Sequence, residues 1–169
     1  MNGRHTLLLM RHAKSDYPAG VADHDRPLAP RGIREAGLAG DWLRANVSPV
    51  DAVLCSTATR ARQTLENTRV AAPARYSERL YGAAPGTVIE EINATAEDIG
   101  TLLVVGHEPT TSALALLLAD DGGTDDAVVE RISTKFPTSA IAVLDVPCAW
   151  AELEPGRAAL TGFEVPRQT

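Results

Sequence analysis

Aromatic residues are scarce in this chain: two Trp, three Tyr and two Phe, 4% of 169 residues. A base-stacking platform for single-stranded nucleic acid is therefore not indicated, and the core must be filled mainly by Ala, Leu, Val and Ile. Cysteine is scarcer still. Cys55 and Cys148 cannot build a disulfide framework, nothing points to an oxidising compartment, and both read as small buried hydrophobes. Long hydrophobic runs are missing as well: none approaches the roughly 20 apolar residues that span a bilayer, and Leu7 to Met10 is too short for a signal-peptide core. Positive charge is in deficit, with 16 Lys and Arg against 22 Asp and Glu and a formal net charge of −6. That balance argues against a general nucleic-acid surface but leaves room for a local basic pocket. The expectation is a cytoplasmic protein with neither membrane nor nucleic acid as partner.

What is present is an ordinary globular balance, 44% hydrophobic and 22% charged. The length suits one domain, residues 1–169. Thr6 to Met10, Asp51 to Cys55 and Leu102 to Val105 are continuous apolar runs, as expected of strands buried on both faces. Helical patterns lie between them. One starts at Pro30 and aligns Ile33, Ala36, Gly37, Gly40 and Leu43, its glycines suiting close packing on a sheet. Others run over about 59–69, about 87–94, and from Pro109 through the apolar stretch Ala113 to Ala119. Asp120 to Asp126 reads as a solvated loop. Ile141 to Val146 and Trp150 to Leu153 read as strands broken by Pro147, with one more short strand after Arg157. Strands alternating with helices predict an α/β three-layer sandwich, with a mostly parallel central sheet and helices on both faces.

The chemistry gathers where the apolar runs stop. Arg11-His12 follows the first, Ser56 and then Arg60 follow the second, and Gly106-His107 follows the third. Sites in open α/β sheets form outside the carboxyl ends of the strands. If the three strands are parallel neighbours, two arginines, two imidazoles and two helix N-termini meet at one edge. Arginine grips phosphate oxygens bidentately and stays charged, helix N-termini favour anions, and neutral imidazole is a competent phosphoryl acceptor. That set describes a pocket for a phosphoryl group.

The segments at these ends resemble a known family. Leu9-Met10-Arg11-His12-Ala13 resembles the R-H-G signature of the histidine phosphatase superfamily, to which the phosphoglycerate mutases belong. Ser56 to Thr64 (S-T-A-T-R-A-R-Q-T) is similar to its S-x-x-x-R-x-x-Q-T segment, and Val104 to Pro109 (V-V-G-H-E-P) to its second-histidine motif. Arg26 to Gly32 (R-P-L-A-P-R-G) resembles the R-P-L stretch of the small SixA-like phosphohistidine phosphatases. Order and spacing match over roughly residues 6–118. The resemblance implies a phosphoglycerate mutase-like fold and a metal-independent hydrolase without cofactor. His12 is then the nucleophile that becomes phosphorylated, with Arg11, Arg60 and His107 completing the phosphate pocket. Ala13 departs from the usual glycine, and Pro18 stands where the mutases carry a phosphate-contacting asparagine; both departures point away from the mutases.

The resemblance names two carboxylates as proton donors, Glu78 or Glu108, and a solvated surface role is the default for each. A third possibility is that no donor is present. Imidazole leaves phosphorus more readily than an alkoxide, which favours a phosphohistidine protein as substrate. A small phosphomonoester metabolite and a catalytically idle phosphate-binding module are the alternatives. A metal site built from His5, His12, His24 and His107 lacks ligand spacing and would sit beside arginines. His5 and His24 read as surface residues. Lys14 and Arg26 are rim candidates, and Arg62 is expected in a structural ion pair. A cysteine phosphatase loop fails on count, because four residues rather than five separate Cys55 from Arg60.

Overall fold

The computed structural model describes residues 4–167. Its centre is a six-stranded sheet: β1 (His5–Arg11), β2 (Ala52–Ser56), β3 (Ala74–Ser77), β4 (Thr101–Gly106), β5 (Ile141–Val146) and β6 (Ala159–Glu164). The spatial order is β3-β2-β4-β1-β5-β6. Strands β3, β2, β4 and β1 are mutually parallel, and β5 and β6 add an antiparallel edge. Five helices cover it: α1 (Pro30–Asn46), α2 (Thr59–Thr68), α3 (Pro85–Asn93), α4 (Thr110–Leu118) and α5 (Asp126–Thr134).

The apolar runs explain the layering. Side chains alternate across a strand, so Leu8 and Met10 of β1 join Val53, Cys55, Leu103 and Val105 under Ala39 and Leu43 of α1 and Ala61 and Leu65 of α2. Leu7 and Leu9 face the other way, with Leu54, Leu102 and Val104, onto α3, α4 and α5. A strand buried on both faces cannot spare a polar position, which is why these runs are uninterrupted. The three-layer, mostly parallel sandwich implied by the sequence is the fold that forms. Among the described residues no helix is long and apolar enough to cross a membrane.

Several local readings are corrected. Trp150 to Leu153 is no strand: Trp150–Glu152 is a 3-10 turn. There Trp150 is fully buried, its indole N–H donates to Ile99 O at 2.7 Å, and its ring stacks on His5 at 4.5 Å. His5 is correspondingly buried rather than at the surface, held by the carbonyls of Cys148 and Glu97. The exposed edge strand β3 and helix α5 escape the sequence reading. β3 has only Ser77 buried, so it shows no apolar period, and α5 presents just Val128 and Ile132 to the core. Ile33 points outward, while Gly32, Glu35, Ala36, Ala39, Gly40 and Leu43 form the buried face of α1.

The glycines of α1 answer to neighbours other than the sheet. A Cβ on Gly40 would lie 2.0 Å from the Thr68 carbonyl oxygen, so Gly40 sets how closely α1 and α2 approach. A Cβ on Gly32 would lie 2.1 Å from the Lys14 carbonyl, where the segment after β1 crosses the start of α1. Gly40→Ala is therefore expected to lose more than ~2 kcal/mol in urea unfolding, whereas Gly86→Ala, in open space on α3, gains up to ~1 kcal/mol. Equal midpoints for the two variants would show that α1 and α2 can separate freely.

Candidate active site

Register brings the three strand ends level. Arg11 pairs with Gly106 across β1 and β4, and Cys55 pairs with Val105 across β2 and β4. The residues that follow emerge together into a cleft of about 220 Å³ lined by Arg11, His12, Lys14, Ser15, Tyr17, Arg26, Arg60, His107, Glu108 and Thr138. Arg11, His12, Arg60 and His107 are thus brought to one place. Lys14 and Arg26 line it as well. Glu78, exposed in the turn after β3, is not among the lining residues.

His12 is held in one tautomer. Its backbone N–H donates to Gly106 O at 2.9 Å, and its ring Nδ1–H donates to Ala13 O at 2.7 Å. A carbonyl can only accept, so the proton sits on Nδ1 and the lone pair on Nε2. Burial pushes the His12 pKa down to about 3, helped by His107, Arg60 and Arg11. The ring is neutral, with a nucleophilic nitrogen beside guanidinium groups.

His107 lies beside it, ring centres 5.2 Å apart. Its Nε2 is 2.8 Å from Ser56 Oγ. Ser56 Oγ already accepts the Ala58 N–H at 3.2 Å, which leaves its hydroxyl hydrogen free to donate to Nε2. Nδ1 of His107 is buried without a partner. Burial, with Arg60 next in weight, lowers the His107 pKa to about 4.

The arginines are braced from behind. Arg11 Nη1 donates to Phe136 O at 2.8 Å, and its Nε is buried and unpartnered. Arg60 Nη1 donates to Asp23 O at 2.7 Å and Nη2 to Asp23 Oδ2 at 3.1 Å, leaving its Nε unpartnered too. Buried donors rarely go unmet in native proteins. Arg11 Nε, Arg60 Nε and His107 Nδ1 are the polar atoms of the cleft residues left buried without a partner among the described residues.

Asp23 is the residue that sequence reasoning missed. It receives Arg60, Arg26 (Nε to Oδ1, 3.0 Å) and the Tyr81 hydroxyl, and the Tyr81 bond leads the two arginines in holding its carboxyl far below the usual range. No periodic signal could reveal it, because it lies in a three-residue 3-10 turn between β1 and α1. Gln63 and Thr64, quoted as motif letters without a role, gain one. Gln63 accepts the Leu28 N–H, while Thr64 Oγ1 accepts from the Ala13 N–H and donates to Arg60 O, clasping the segment after His12 to α2.

Three further expectations change. Glu108 lines the cleft, but both carboxylate oxygens accept from Ser112, at 2.7 and 2.8 Å, so the start of α4 is occupied by the chain's own anion. Arg62 lies over the Tyr76 ring at 5.7 Å and makes no ion pair among the described residues. His24 is half-buried and bonded to Thr57 Oγ1. Cys55 is buried, its thiol pushed up to about 12 by desolvation, and Cys148 is buried too. Among the described residues no group of three His, Cys, Asp or Glu is arranged to hold a metal ion.

Two neutral imidazoles thus lie among braced guanidinium groups at the carboxyl edge of a mostly parallel sheet. A family model for the histidine phosphatase superfamily (branch 1) matches residues 7–101. An uncharacterized protein of Mycobacterium tuberculosis is 76% identical over 158 residues, 94% of this chain and 100% of that one. A candidate phosphohistidine phosphatase SixA from Nakamurella multipartitia superposes with a TM-score of 0.89 at 38% identity, over 98% of both chains. The protein histidine phosphatase SixA in complex with tungstate gives 0.77 at 27% identity, over 95% of this chain and 97% of that one. The chain belongs to the histidine phosphatase superfamily, and it is a phosphatase of SixA-like architecture.

The two lowered histidine pKa values have a consequence for stability. Each group binds a proton more weakly in the folded chain than in the unfolded chain, whose histidines titrate near pH 6.5. Stability from these neutral rings is complete above about pH 6.5 and is lost as pH falls toward 4, by roughly 1–2 kcal/mol per ring between pH 6.5 and 5. Urea midpoints should drop over that interval, and less so in His12→Asn. Ring-proton shifts of His12 moving near pH 6.5 would contradict its burial.

Proposed function

We propose that the protein is a metal-independent phosphatase that works through a phosphohistidine on His12 and takes a phosphohistidine-bearing protein as substrate. The observation that carries this reading is the fixed tautomer of His12, with Nδ1–H tied to Ala13 O and the Nε2 lone pair left for phosphorus. Tungstate, a tetrahedral oxyanion, is the ligand of the SixA relative, which supports an oxyanion in the cleft.

In the first step Nε2 of His12 attacks phosphorus in line, and the bond to the leaving group breaks. Arg11, Arg60 and the Nδ1–H of His107 take the phosphoryl oxygens and stabilise the charge spread over them. His12 then carries phosphorus on Nε2 and a proton on Nδ1. That cationic ring is itself a good leaving group. In the second step water attacks phosphorus, His12 departs as the neutral tautomer it began as, and phosphate and solvent take up the proton of water.

The carboxylates support this substrate class. The Glu108 carboxylate is committed to Ser112, and Glu78 stands outside the cleft. An alkyl phosphate needs a proton delivered to its departing oxygen. A phosphohistidine does not, because the far nitrogen of its own ring can be protonated from solvent before the P–N bond breaks.

Brief mixing with labelled substrate should trap acid-labile, base-stable phosphate in wild type and none in His12→Ala. A wild type that binds phosphate but neither labels nor turns over is an idle binding module. Turnover of sugar phosphates without phosphohistidine peptides makes it a metabolite phosphatase. Arg60→Ala should cost about 3–4 kcal/mol in transition-state stabilisation. Glu108→Gln should cost far less on a phosphohistidine peptide than the ~10²–10⁴ that loss of a general acid produces; a loss of that size would make Glu108 the donor.

A further inference from the structure

Tyr17 has a property no other aromatic residue of the site shares. Although it lines the cleft, it is 72% exposed, the highest value among the large hydrophobic side chains of the described residues. Tyr81, by contrast, gives its hydroxyl to Asp23 and sets its ring edge-on to His107. An exposed tyrosine is ordinarily free to change rotamer. This one is not.

The Arg26 guanidinium lies 4.0 Å from the centre of the Tyr17 ring. Arg26 is itself locked: Nε donates to Asp23 Oδ1 at 3.0 Å, and Nη1 donates to Ser15 Oγ at 2.8 Å and Asp16 O at 3.0 Å. Its side chain is only 11% exposed. The Tyr17 backbone N–H is tied to Asp16 Oδ1 at 2.9 Å, so main chain and ring are both held. An arginine anchored at three points thus supports an aromatic ring beside the phosphoryl pocket. The ring gains nothing for the core from that position.

We infer that Tyr17, braced by Arg26, is the platform on which the ring of an aromatic leaving group stacks while its phosphoryl group sits between Arg11 and Arg60. The inference deepens the phosphohistidine reading and rests on it, because the imidazole of a phosphohistidine is such a ring. The chemistry favours a planar π-system over a sugar or other alkyl group. A ring already fixed in place costs no side-chain ordering when substrate arrives, and offset stacking rewards a flat partner. Tyr17 thereby becomes a specificity residue, distinct from the groups that touch phosphorus.

The experiment compares wild type, Tyr17→Leu and Tyr17→Phe on three substrates: a phosphohistidine peptide, an aryl phosphate and glycerol phosphate. The quantity read is the change in kcat/KM between variant and wild type, so the differing intrinsic reactivities of the substrates cancel. Tyr17→Leu should lower the two ring substrates relative to glycerol phosphate by about three- to tenfold, mainly through KM. Tyr17→Phe, which keeps the ring, should preserve the wild-type selectivity. Equal losses on all three substrates, or no change in selectivity, overturn the platform. Failure of the wild type on the phosphohistidine peptide alone overturns the phosphohistidine reading, and the aryl and glycerol phosphates then still decide the role of Tyr17. A wild type that hydrolyses none of the three overturns both.

Discussion

The site depends above all on one register: Arg11 opposite Gly106 across the parallel pair β1 and β4. That pairing sets His12 and His107 one step beyond adjacent strand ends, and the His12 N–H donating to Gly106 O extends it past the last paired residues. A slip of one residue would turn the alternating Leu7, Leu8, Leu9 and Met10 to the wrong cores and carry His12 with them. The packing of both helical layers therefore enforces the spacing of the two imidazoles. Strand β2, level with β4 on its other side, contributes Ser56 to orient His107 and launches α2 with Arg60 in its first turn.

Electrostatics follow from the same placement. Burial makes both imidazoles resist protonation, and the arginines reinforce it. Neutral rings can then lie 5.2 Å apart without repulsion. The formal charge of −6 belongs to the exterior, whereas the cleft is lined by Arg11, Lys14, Arg26 and Arg60 against the single carboxylate Glu108. A positive hole in an acidic exterior favours a small anion over a long polyanion.

Much of this was legible in the sequence because it is local. Uninterrupted apolar runs announce strands buried on both faces, and the Arg-His, Ser-x-x-x-Arg and Gly-His pairs directly behind them locate the cleft edge. What stayed hidden is tertiary. Asp23 matters only because folding sets its loop under Arg60, Arg26 and Tyr81. The exposure of Tyr17 looks like that of any loop tyrosine until Arg26 is seen behind it. His5 carries no burial signal of its own, since stacking on Trp150, 145 positions away in a turn mistaken for a strand, is what buries it. The glycines of α1 were noticed, but a helix face alone does not say whether a sheet or another helix demands them.

Two carboxylates, Glu108 on the cleft and Asp23 on its arginines, bind the chain's own donors. Asp23 is spent on holding Arg60 and Arg26 in place, and Glu108 on capping the helix behind His107. Both accept from the chain's own donors, and the lining of the cleft is cationic rather than acidic. Rigid donors stabilise the charge of a transferring phosphoryl group without reorganising during the reaction. The cost falls on leaving groups that need a proton. On the proposed reading that cost is avoided by the substrate, whose departing ring supplies its own second nitrogen to solvent. The same Asp23 that holds Arg60 also holds Arg26 against Tyr17, so on the proposed readings one carboxylate bears both on how the phosphoryl group is held and on which leaving group is preferred.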